Sequence, residues 1–265
     1  MKTVTINDIQ DLIRELLSFT NHYVFRGQSV SEWKLTPALE RIISSEKWNA
    51  ETVERMEEYS LNKFTSRFHL YDRENKLPVS KLEWLSLMQH YGVPTRLLDF
   101  SSSPFLALYF AMENTTFESS SDCAVYAIDY RGVMNESLRI ANSHDTALAL
   151  DYHMVTREKK DLFDEVVISH SIDVVWVTEP QQLNARLDRQ EGSFLISGNK
   201  GFRLEELLFS KTYSTCDIVK IIISSKLFSQ VYALLNRVNI NSRTVYGDLQ
   251  GFGKSLGMEM AYYAQ

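Results

Sequence analysis

The segment Ser103-Pro104-Phe105-Leu106-Ala107-Leu108-Tyr109-Phe110-Ala111-Met112 decides the fold class of this chain. Ser103 and Pro104 stand where a helix takes its N-cap and its first residue, so the segment predicts a helix. Almost every residue that follows is apolar, which indicates a helix buried on all sides. The next regular pattern, residues 123–128, is a short apolar run typical of a buried strand. A buried helix followed by a buried strand predicts mixed α and β structure.

Outward from this segment, helical patterns dominate the first half of the chain and strand patterns the second half. One predicted helix begins after Asn7-Asp8 and another at Thr36. Three more cover residues 51–68, 81–91 and 226–235. The predicted strands cover residues 23–25, 123–128, 174–177, 193–196 and 218–223. This order predicts an α+β fold. No repeat, low-complexity tract or Pro-rich linker marks a boundary, so we expect residues 1–265 to form a single domain.

The composition is that of a globular chain, with 44% hydrophobic and 23% charged residues among 265. No apolar run approaches the roughly 18 residues of a membrane span, and the first residues lack a signal peptide. We therefore expect a cytoplasmic protein with no membrane partner. The net charge of −6 gives no general reason for non-specific nucleic-acid binding. Nucleic acid is expected only as a substrate held in a defined groove.

Metal-binding and common nucleotide-binding motifs are missing from the sequence. Cys123 and Cys216 cannot form a four-ligand zinc site by themselves. No two of the six histidines, His170 included, have the His-x-x-x-His spacing of a helical metal site. There is no Gly-x-Gly-x-x-Gly motif and no Walker loop. The sequence therefore predicts chemistry without a metal.

The first segment with polar residues that packing does not require is Tyr23-Val24-Phe25-Arg26-Gly27-Gln28. Arg26 ends an apolar strand, and its guanidinium offers donors in a fixed fork that matches phosphate or carboxylate. With Gly27 beside it, Arg26 could lie beneath an approaching ligand. A surface arginine in a solvated pair is an equal alternative.

The second segment covers residues 89–100, where a helix end meets a run of side-chain donors and acceptors. Gly92 is placed to end the helix. His90 is either an acid–base group or, as is commoner at a helix end, a structural hydrogen-bonding residue. Arg96 and Asp99 are three residues apart and could simply pair with each other.

The third segment is Ser101-Ser102-Ser103, directly before the apolar helix. Helix capping explains Ser103 but not the other two serines. The N-terminus of the helix is also a potential anion site. No set of nucleophile and base emerges from the residues alone, and Cys123 is expected to be an inert part of the core.

Several of these motifs resemble the FRG domain family. The motifs are Phe25-Arg26-Gly27-Gln28, Trp33-Lys34-Leu35-Thr36-Pro37-Ala38-Leu39, the stretch from Gln89 to Ser101, and Tyr246-Gly247-Asp248-Leu249-Gln250-Gly251. The resemblance extends from about residue 20 to about residue 255, which is nearly the whole chain.

The stretch from Asp99 to Ala111 also resembles the Ser-Thr-Ser segment of mono-ADP-ribosyltransferases, which is followed by a similar helix. Arg26 matches the arginine on the first core strand of those enzymes, and the strand at 124–128 agrees in order. The resemblance implies an ADP-ribosyltransferase-like split β-sandwich with N-terminal helices. It also implies NAD as co-substrate, with Arg26 on the NAD phosphates and the serines around the nicotinamide.

The same resemblance implies a glutamate before a later strand, where it stabilises an oxocarbenium-like transition state. Glu191 in Gln190-Glu191-Gly192-Ser193 is the leading candidate. Gln190 could be the residue that points inward instead, because strand alternation aims only one of the two into the cleft. Glu205 and Glu206 are further candidates.

The leading hypothesis from the sequence is an NAD-dependent mono-ADP-ribosyltransferase, a toxin of a toxin–antitoxin or anti-phage defence system. Its catalytic residues would be Arg26, Glu191 and Ser102. Its NAD-binding residues would be Arg26, Gly27, Gln28, His90, Tyr91, Thr95, Arg96, Ser101, Ser102, Ser103, Tyr109 and Gln190. The expected partners are an antitoxin or chaperone protein and a macromolecular substrate, either RNA or protein.

Two alternatives belong to other functional classes. The first is a non-catalytic FRG module that binds a nucleotide or a signal. The second is an NAD-independent RNA-processing enzyme or nuclease that acts through His90, Arg96 and Asp99.

Overall fold

The strands of the chain build one open mixed sheet, seen in a computed structural model that describes residues 1–71, 77–115, 120–145, 149–157, 164, 167, 171–179, 185–201 and 203–264. The strands of these residues are β1 (Lys2–Ile6), β2 (Tyr23–Gln28), β3 (Leu98–Ser101), β4 (Cys123–Asp129), β5 (Val175–Thr178), β6 (Gly192–Ser197) and β7 (Ile218–Ile223). Their order across the sheet is β1-β7-β4-β2-β3-β6-β5. β1 runs parallel to β7, and every other neighbouring pair is antiparallel.

Helices surround this sheet. Those within the described ranges are α1 (Ile9–Ser18), α2 (Ala38–Glu46), α3 (Ala50–Phe68), α4 (Lys81–His90), α5 (Pro104–Met112), α6 (Tyr130–His144), α7 (Tyr152–Arg157), α8 (Ala185–Arg189), α9 (Leu204–Leu208), α10 (Phe228–Arg237), α11 (Ser242–Tyr246) and α12 (Leu249–Tyr263). Asp8, Asn49, Ser80 and Ser103 cap the N-termini of α1, α3, α4 and α5 with their side chains.

The pairing between neighbouring strands is shortest at the centre of the sheet, between β2 and β3. Six residue pairs join β2 to β4, and four join β3 to β6. In the described chain, a single pair, Phe25 with Ser101, joins β2 to β3. The sheet therefore consists of a four-stranded half and a three-stranded half that meet at one point.

Helix α5 packs against β2 at very close range. A Cβ atom on Gly27 would lie 1.9 Å from the carbonyl oxygen of Ala107 and 2.4 Å from the backbone nitrogen of Ala111. Only a glycine allows this approach. Around this contact, α1, α5 and α10 bury a core against one face of the four-stranded half, with Leu12, Leu108 and Val125 among its members.

Two further cores pack against the sheet. One lies on the three-stranded half, and the other lies on the face of the sheet opposite the first core. One brings α4 and α6 onto β5 and β6, through side chains such as Leu85, Leu138 and Trp176. The other lies across the junction of the two halves and includes Val24 and Leu195. Strands β2 and β3 therefore share a core although only one residue pair joins them.

The α+β class predicted from the sequence is confirmed, and the strand at 218–223 is found with the predicted bounds. The predicted helices at 51–68 and 81–91 are also present, as α3 and α4. The sequence analysis did not predict β1, β3, α6, α11 or α12. The more specific ADP-ribosyltransferase-like split β-sandwich stays a prediction.

Glu40 fixes α2 beside α9 from within the protein. Its side chain is only 5% exposed, and its Oε1 accepts a hydrogen bond from the backbone nitrogen of Leu204 at 2.9 Å. The guanidinium of Arg203 donates to the carbonyl oxygen of Glu40 at 3.1 Å. Burial raises the pKa of Glu40 to about 7, against the opposing effects of the Leu204 hydrogen bond and the Arg203 charge.

We expect Gly27→Ala to lower the free energy of unfolding by about 3 kcal/mol, because the new methyl group must displace the backbone of α5. Urea denaturation measures the change. Gly253→Ala is the matched control, because no atom lies within 4 Å of a Cβ at that exposed position of α12. The control should raise the free energy of unfolding by about 0.5–1 kcal/mol. Equal effects of the two changes would contradict the close α5–β2 contact.

We expect Glu40→Gln to become more favourable than the native residue as the pH rises. With a folded-state pKa of about 7 and an ordinary value of 4.5, Glu40 binds a proton on folding between these pH values. Its contribution to stability is therefore full below pH 4.5 and is lost as the pH rises through about 7. Urea denaturation at pH 5 and pH 8 should show the variant gaining about 2–3 kcal/mol relative to wild type. Glu58→Gln, at an exposed position, should show no such pH-dependent difference.

Candidate functional site

A cavity of about 780 Å³ lies beside the single pair that joins β2 to β3. Its walls come from β2, β3, the ends of α4 and α5, the chain around Lys34 and the segment that leads into β6. The volume is in the range typical of small-molecule sites. The aromatic side chains along its walls are Phe25, Trp33, Phe100, Phe110, Phe194 and Tyr246.

Arg26 is a half-buried cation on the wall of this cavity. Its Nη1 donates to the carbonyl oxygen of Asp99 at 2.7 Å, which fixes the direction of the side chain. Its Nε is shielded from solvent and has no hydrogen-bond partner among the described residues. No carboxylate in the described chain forms an ion pair with Arg26. Burial lowers the pKa of Arg26 from its ordinary value; Asp99 opposes this and Arg41 adds to it.

Two further cations line the cavity, Lys34 and Arg41. Arg41 is held in place by a hydrogen bond from its Nη1 to the carbonyl oxygen of Thr36 at 2.7 Å. The acidic side chains of the wall, Asp99 and Glu113, are already engaged. Asp99 accepts from Gln89 at 2.7 Å, and Glu113 accepts from Lys254 at 2.9 Å and from two tyrosines. The cavity therefore favours an anionic ligand.

Gln28 and Gln190 add polar atoms that the described protein leaves unpaired. Gln28 is only 6% exposed, and its Nε2 donates to the carbonyl oxygen of Lys34 at 2.9 Å. The Oε1 of Gln28 and the Nε2 of Gln190 are buried without a partner in the described ranges. Buried polar atoms of this kind cost free energy unless a ligand or water completes them.

The three serines that precede α5 have different roles. Ser101 Oγ donates to the carbonyl oxygen of Gln190 at 2.8 Å, and Ser102 Oγ donates to Glu191 Oε2 at 2.5 Å. Ser103 accepts from the backbone nitrogen of Leu106, which confirms the predicted N-cap. Together, Ser101 and Ser102 fasten the end of β3 to the residues just before β6.

The structure places the four candidates for the catalytic acidic position differently. Gln190 lines the cavity, whereas Glu191 is exposed and does not line it. The backbone of Glu191 has a φ of 46°, and its carbonyl oxygen accepts from the nitrogen of Ser102 at 3.0 Å. Glu205 lies elsewhere, with its Oε1 bound to the backbone nitrogen of Leu35 at 2.9 Å. Glu206, its neighbour in α9, is exposed.

Several predicted NAD-binding residues lie away from the cavity wall. Of the predicted set, Arg26, Gly27, Gln28, His90, Ser101 and Gln190 line the cavity, whereas Tyr91, Thr95, Arg96, Ser102, Ser103 and Tyr109 do not. Tyr109 is buried, with its hydroxyl 2.9 Å from Ser242 Oγ. Gly27 serves the contact with α5 described above.

Arg96 is a structural cation. It is 3% exposed, and its Nε donates to Glu57 Oε1 at 2.7 Å. Burial alone would raise the pKa of Glu57, but the charge and hydrogen bonds of Arg96 outweigh it and lower the pKa. The suggested pairing of Arg96 with Asp99 is therefore wrong. Because Arg96 does not reach the cavity that His90 and Asp99 line, the structure gives the nuclease alternative no support.

Sequence reasoning did not select Arg41, Lys34 or Gln89 as site residues. Lys34 stands in one of the motifs quoted above, so a signal for it was present. Arg41 comes from α2, and only the tertiary placement of that helix brings it to the cavity.

None of the helices that the structure describes is both long and apolar enough to cross a membrane. The cytoplasmic location and the lack of a membrane partner stay predictions. Within the described residues, which leave out His170, no group of three or more His, Cys, Asp or Glu side chains is placed to hold a metal ion. Chemistry without a metal stays a prediction as well.

The fold and the cavity define an α+β protein with a cavity, lined by three cationic side chains, beside the junction of two halves of a sheet. Residues 21–120 match the family model described as FRG domain, so the predicted resemblance is confirmed over this segment. The matched residues carry Arg26, Arg41 and the three serines. Beyond residue 120, the extension of the family resemblance stays a prediction. No curated protein and no solved structure matches the chain.

We expect Arg26→Met to raise the free energy of unfolding by about 1 kcal/mol, because it removes a buried charge that has no carboxylate partner. Urea denaturation measures this change. Arg96→Met is the matched comparison: it leaves Glu57 buried and unpaired, and should lower the free energy of unfolding by about 3 kcal/mol. A loss of stability in both variants would contradict the distinction between the two arginines.

Proposed function

We propose that the cavity binds NAD as a substrate and that the protein transfers its ADP-ribose group to a cellular macromolecule. The observation that carries this proposal is the convergence of three separate chain segments at the β2–β3 junction. Arg26 on β2, Ser101 and Ser102 on and after β3, and Gln190-Glu191 before β6 are linked there by hydrogen bonds. These are the segments that the resemblance to mono-ADP-ribosyltransferases selects.

The residues of the cavity fit a dinucleotide. Arg26 offers an unpaired Nε–H to a phosphate, with a second guanidinium close by. Trp33 and Phe110 offer flat apolar surface to a nicotinamide or adenine ring. Gln28 and Gln190 offer one acceptor and one donor to ribose or amide groups.

In the proposed reaction, the bond between nicotinamide and ribose breaks and nicotinamide leaves with the bonding electrons. The acceptor forms a new bond to the same ribose carbon and releases its proton to solvent. The positive charge that develops on the ribose needs a fixed negative charge beside it. Glu191 is the carboxylate that this proposal assigns to that role, held in position by Ser102.

The test is incubation of the wild-type protein with labelled NAD and cell extract, with nicotinamide release measured in parallel. We expect labelled macromolecule, and loss of label on protease or nuclease digestion identifies the acceptor as protein or RNA. Arg26→Ala and Glu191→Gln should each lower labelling about 100-fold, since each removes a group that stabilises the transition state. Glu58→Gln, an exposed glutamate on α3, should label like wild type.

A second candidate function is a binding module without catalysis. It is favoured by the position of Glu191, which is exposed, does not line the cavity and is bound to Ser102. If wild type binds NAD but releases no nicotinamide and labels nothing, this second function replaces the first. A growth-arresting role, with an antitoxin or chaperone as partner, belongs to the transferase proposal and depends on its outcome.

A further inference from the structure

Arg26 and Arg41 line the same cavity, and neither guanidinium forms an ion pair with a carboxylate among the described residues. Arg26 and Arg41 are near enough that the charge of Arg41 helps to lower the pKa of Arg26. Backbone carbonyl oxygens hold both side chains, that of Asp99 for Arg26 and that of Thr36 for Arg41. Each carbonyl fixes one end of a guanidinium and leaves other N–H groups for a ligand.

This arrangement is unfavourable in the protein alone. The loss of water around Arg26 is the largest cost to its charge, the charge of Arg41 adds to that cost, and the charge of Asp99 opposes both. An anion with more than one negatively charged group would offset the repulsion between the two guanidinium groups and accept a hydrogen bond from the Nε–H of Arg26. A diphosphate carries one phosphate group for each guanidinium, so it can form charge-assisted hydrogen bonds with both at the same time.

Gln28 needs a hydrogen-bond donor from the ligand, whereas the two arginines need acceptors. Because the carbonyl oxygen of Lys34 can only accept, the amide nitrogen of Gln28 must face it, and Oε1 is left as a buried acceptor. Phosphate oxygens also accept, so they do not satisfy Gln28 Oε1. A hydroxyl group does. Arg26 and Gln28 are two residues apart on β2 and therefore lie on the same face, side by side.

We propose that Arg41 and Gln28 complete a subsite for a nucleoside diphosphate in this cavity. Arg41 acts with Arg26 on the diphosphate, and Gln28 Oε1 accepts a hydrogen bond from a hydroxyl of the adjoining ribose. The inference rests on the proposed function only in placing a nucleotide in the cavity, and it needs no transfer reaction. It assigns to Gln28 the distinction between a nucleotide and a bare polyphosphate.

The test measures binding of two probes, ADP-ribose and inorganic pyrophosphate, by isothermal titration calorimetry. Arg41→Gln should weaken both probes at least about tenfold, because a charge-assisted contact is lost from each. Gln28→Met, of similar length but without the acceptor, should weaken ADP-ribose about fivefold and leave pyrophosphate within about twofold of wild type. Arg237→Gln is the control: it removes an exposed positive charge from α10, outside the cavity wall, and should leave both affinities unchanged.

Two results of the binding measurements would overturn the inference. Wild type that binds neither probe excludes a nucleoside diphosphate subsite. Equal losses in Arg41→Gln and Arg237→Gln would mean that only net charge matters. Arg41→Lys is the second variant, used if Arg41→Gln does not fold. It keeps the positive charge but lacks the planar guanidinium, so it should bind pyrophosphate more weakly than wild type. If the probes bind as expected but NAD labels nothing, the transferase proposal is wrong and the subsite is retained. If NAD labels a macromolecule but Arg41→Gln binds both probes like wild type, the subsite is wrong and the transferase proposal is retained.

Discussion

The single residue pair between Phe25 and Ser101 is the constraint on which the rest of the structure depends. Strands β2 and β3 are each paired along their length with another neighbour, and each half of the sheet packs against a core of its own in addition to the core that the two halves share. The two strands can therefore diverge from this pair towards Gln28 and Leu98 without loss of the fold. That divergence leaves room for a cavity whose walls are rigid elements and whose polar groups are set by backbone contacts. A continuous ladder between β2 and β3 would have filled this space with paired backbone.

Arg96 and Arg26, one buried and one half-buried, differ in how their charges are compensated. Arg96 is surrounded by protein and neutralised by Glu57, so it stabilises the three-stranded half and has nothing left to offer a ligand. Arg26 has a carbonyl oxygen as its only hydrogen-bond acceptor in the described chain and faces a cavity. An apolar residue at this position would stabilise the protein more than a guanidinium without an ion-pair partner, so Arg26 is not explained by stability alone.

The sequence predicted those parts of the fold and site that depend on local patterns. Helix α5 carries its own cap and an unbroken apolar surface, and β7 is a β-branched run, so both were found. Strands β1 and β3 are short and half polar, and their pairing partners lie far along the chain, so no local signal marks them. The site follows the same rule. Arg26 and the serines stand in recognisable motifs, whereas Arg41 reaches the cavity only through the docking of α2, and the pairing of Arg96 with Glu57 spans 39 residues.

The backbone of Glu191 has a further consequence for how this chain tolerates change. A φ of 46° lies in the left-handed region, where a glycine would be more stable by about 1 kcal/mol. The chain keeps a glutamate there and accepts the strain. Glycine cannot supply the carboxylate to which Ser102 donates, so the strain at this position comes together with a hydrogen bond that glycine would lose. Selection for a higher melting temperature alone would therefore weigh the relief of backbone strain at position 191 against the loss of that hydrogen bond.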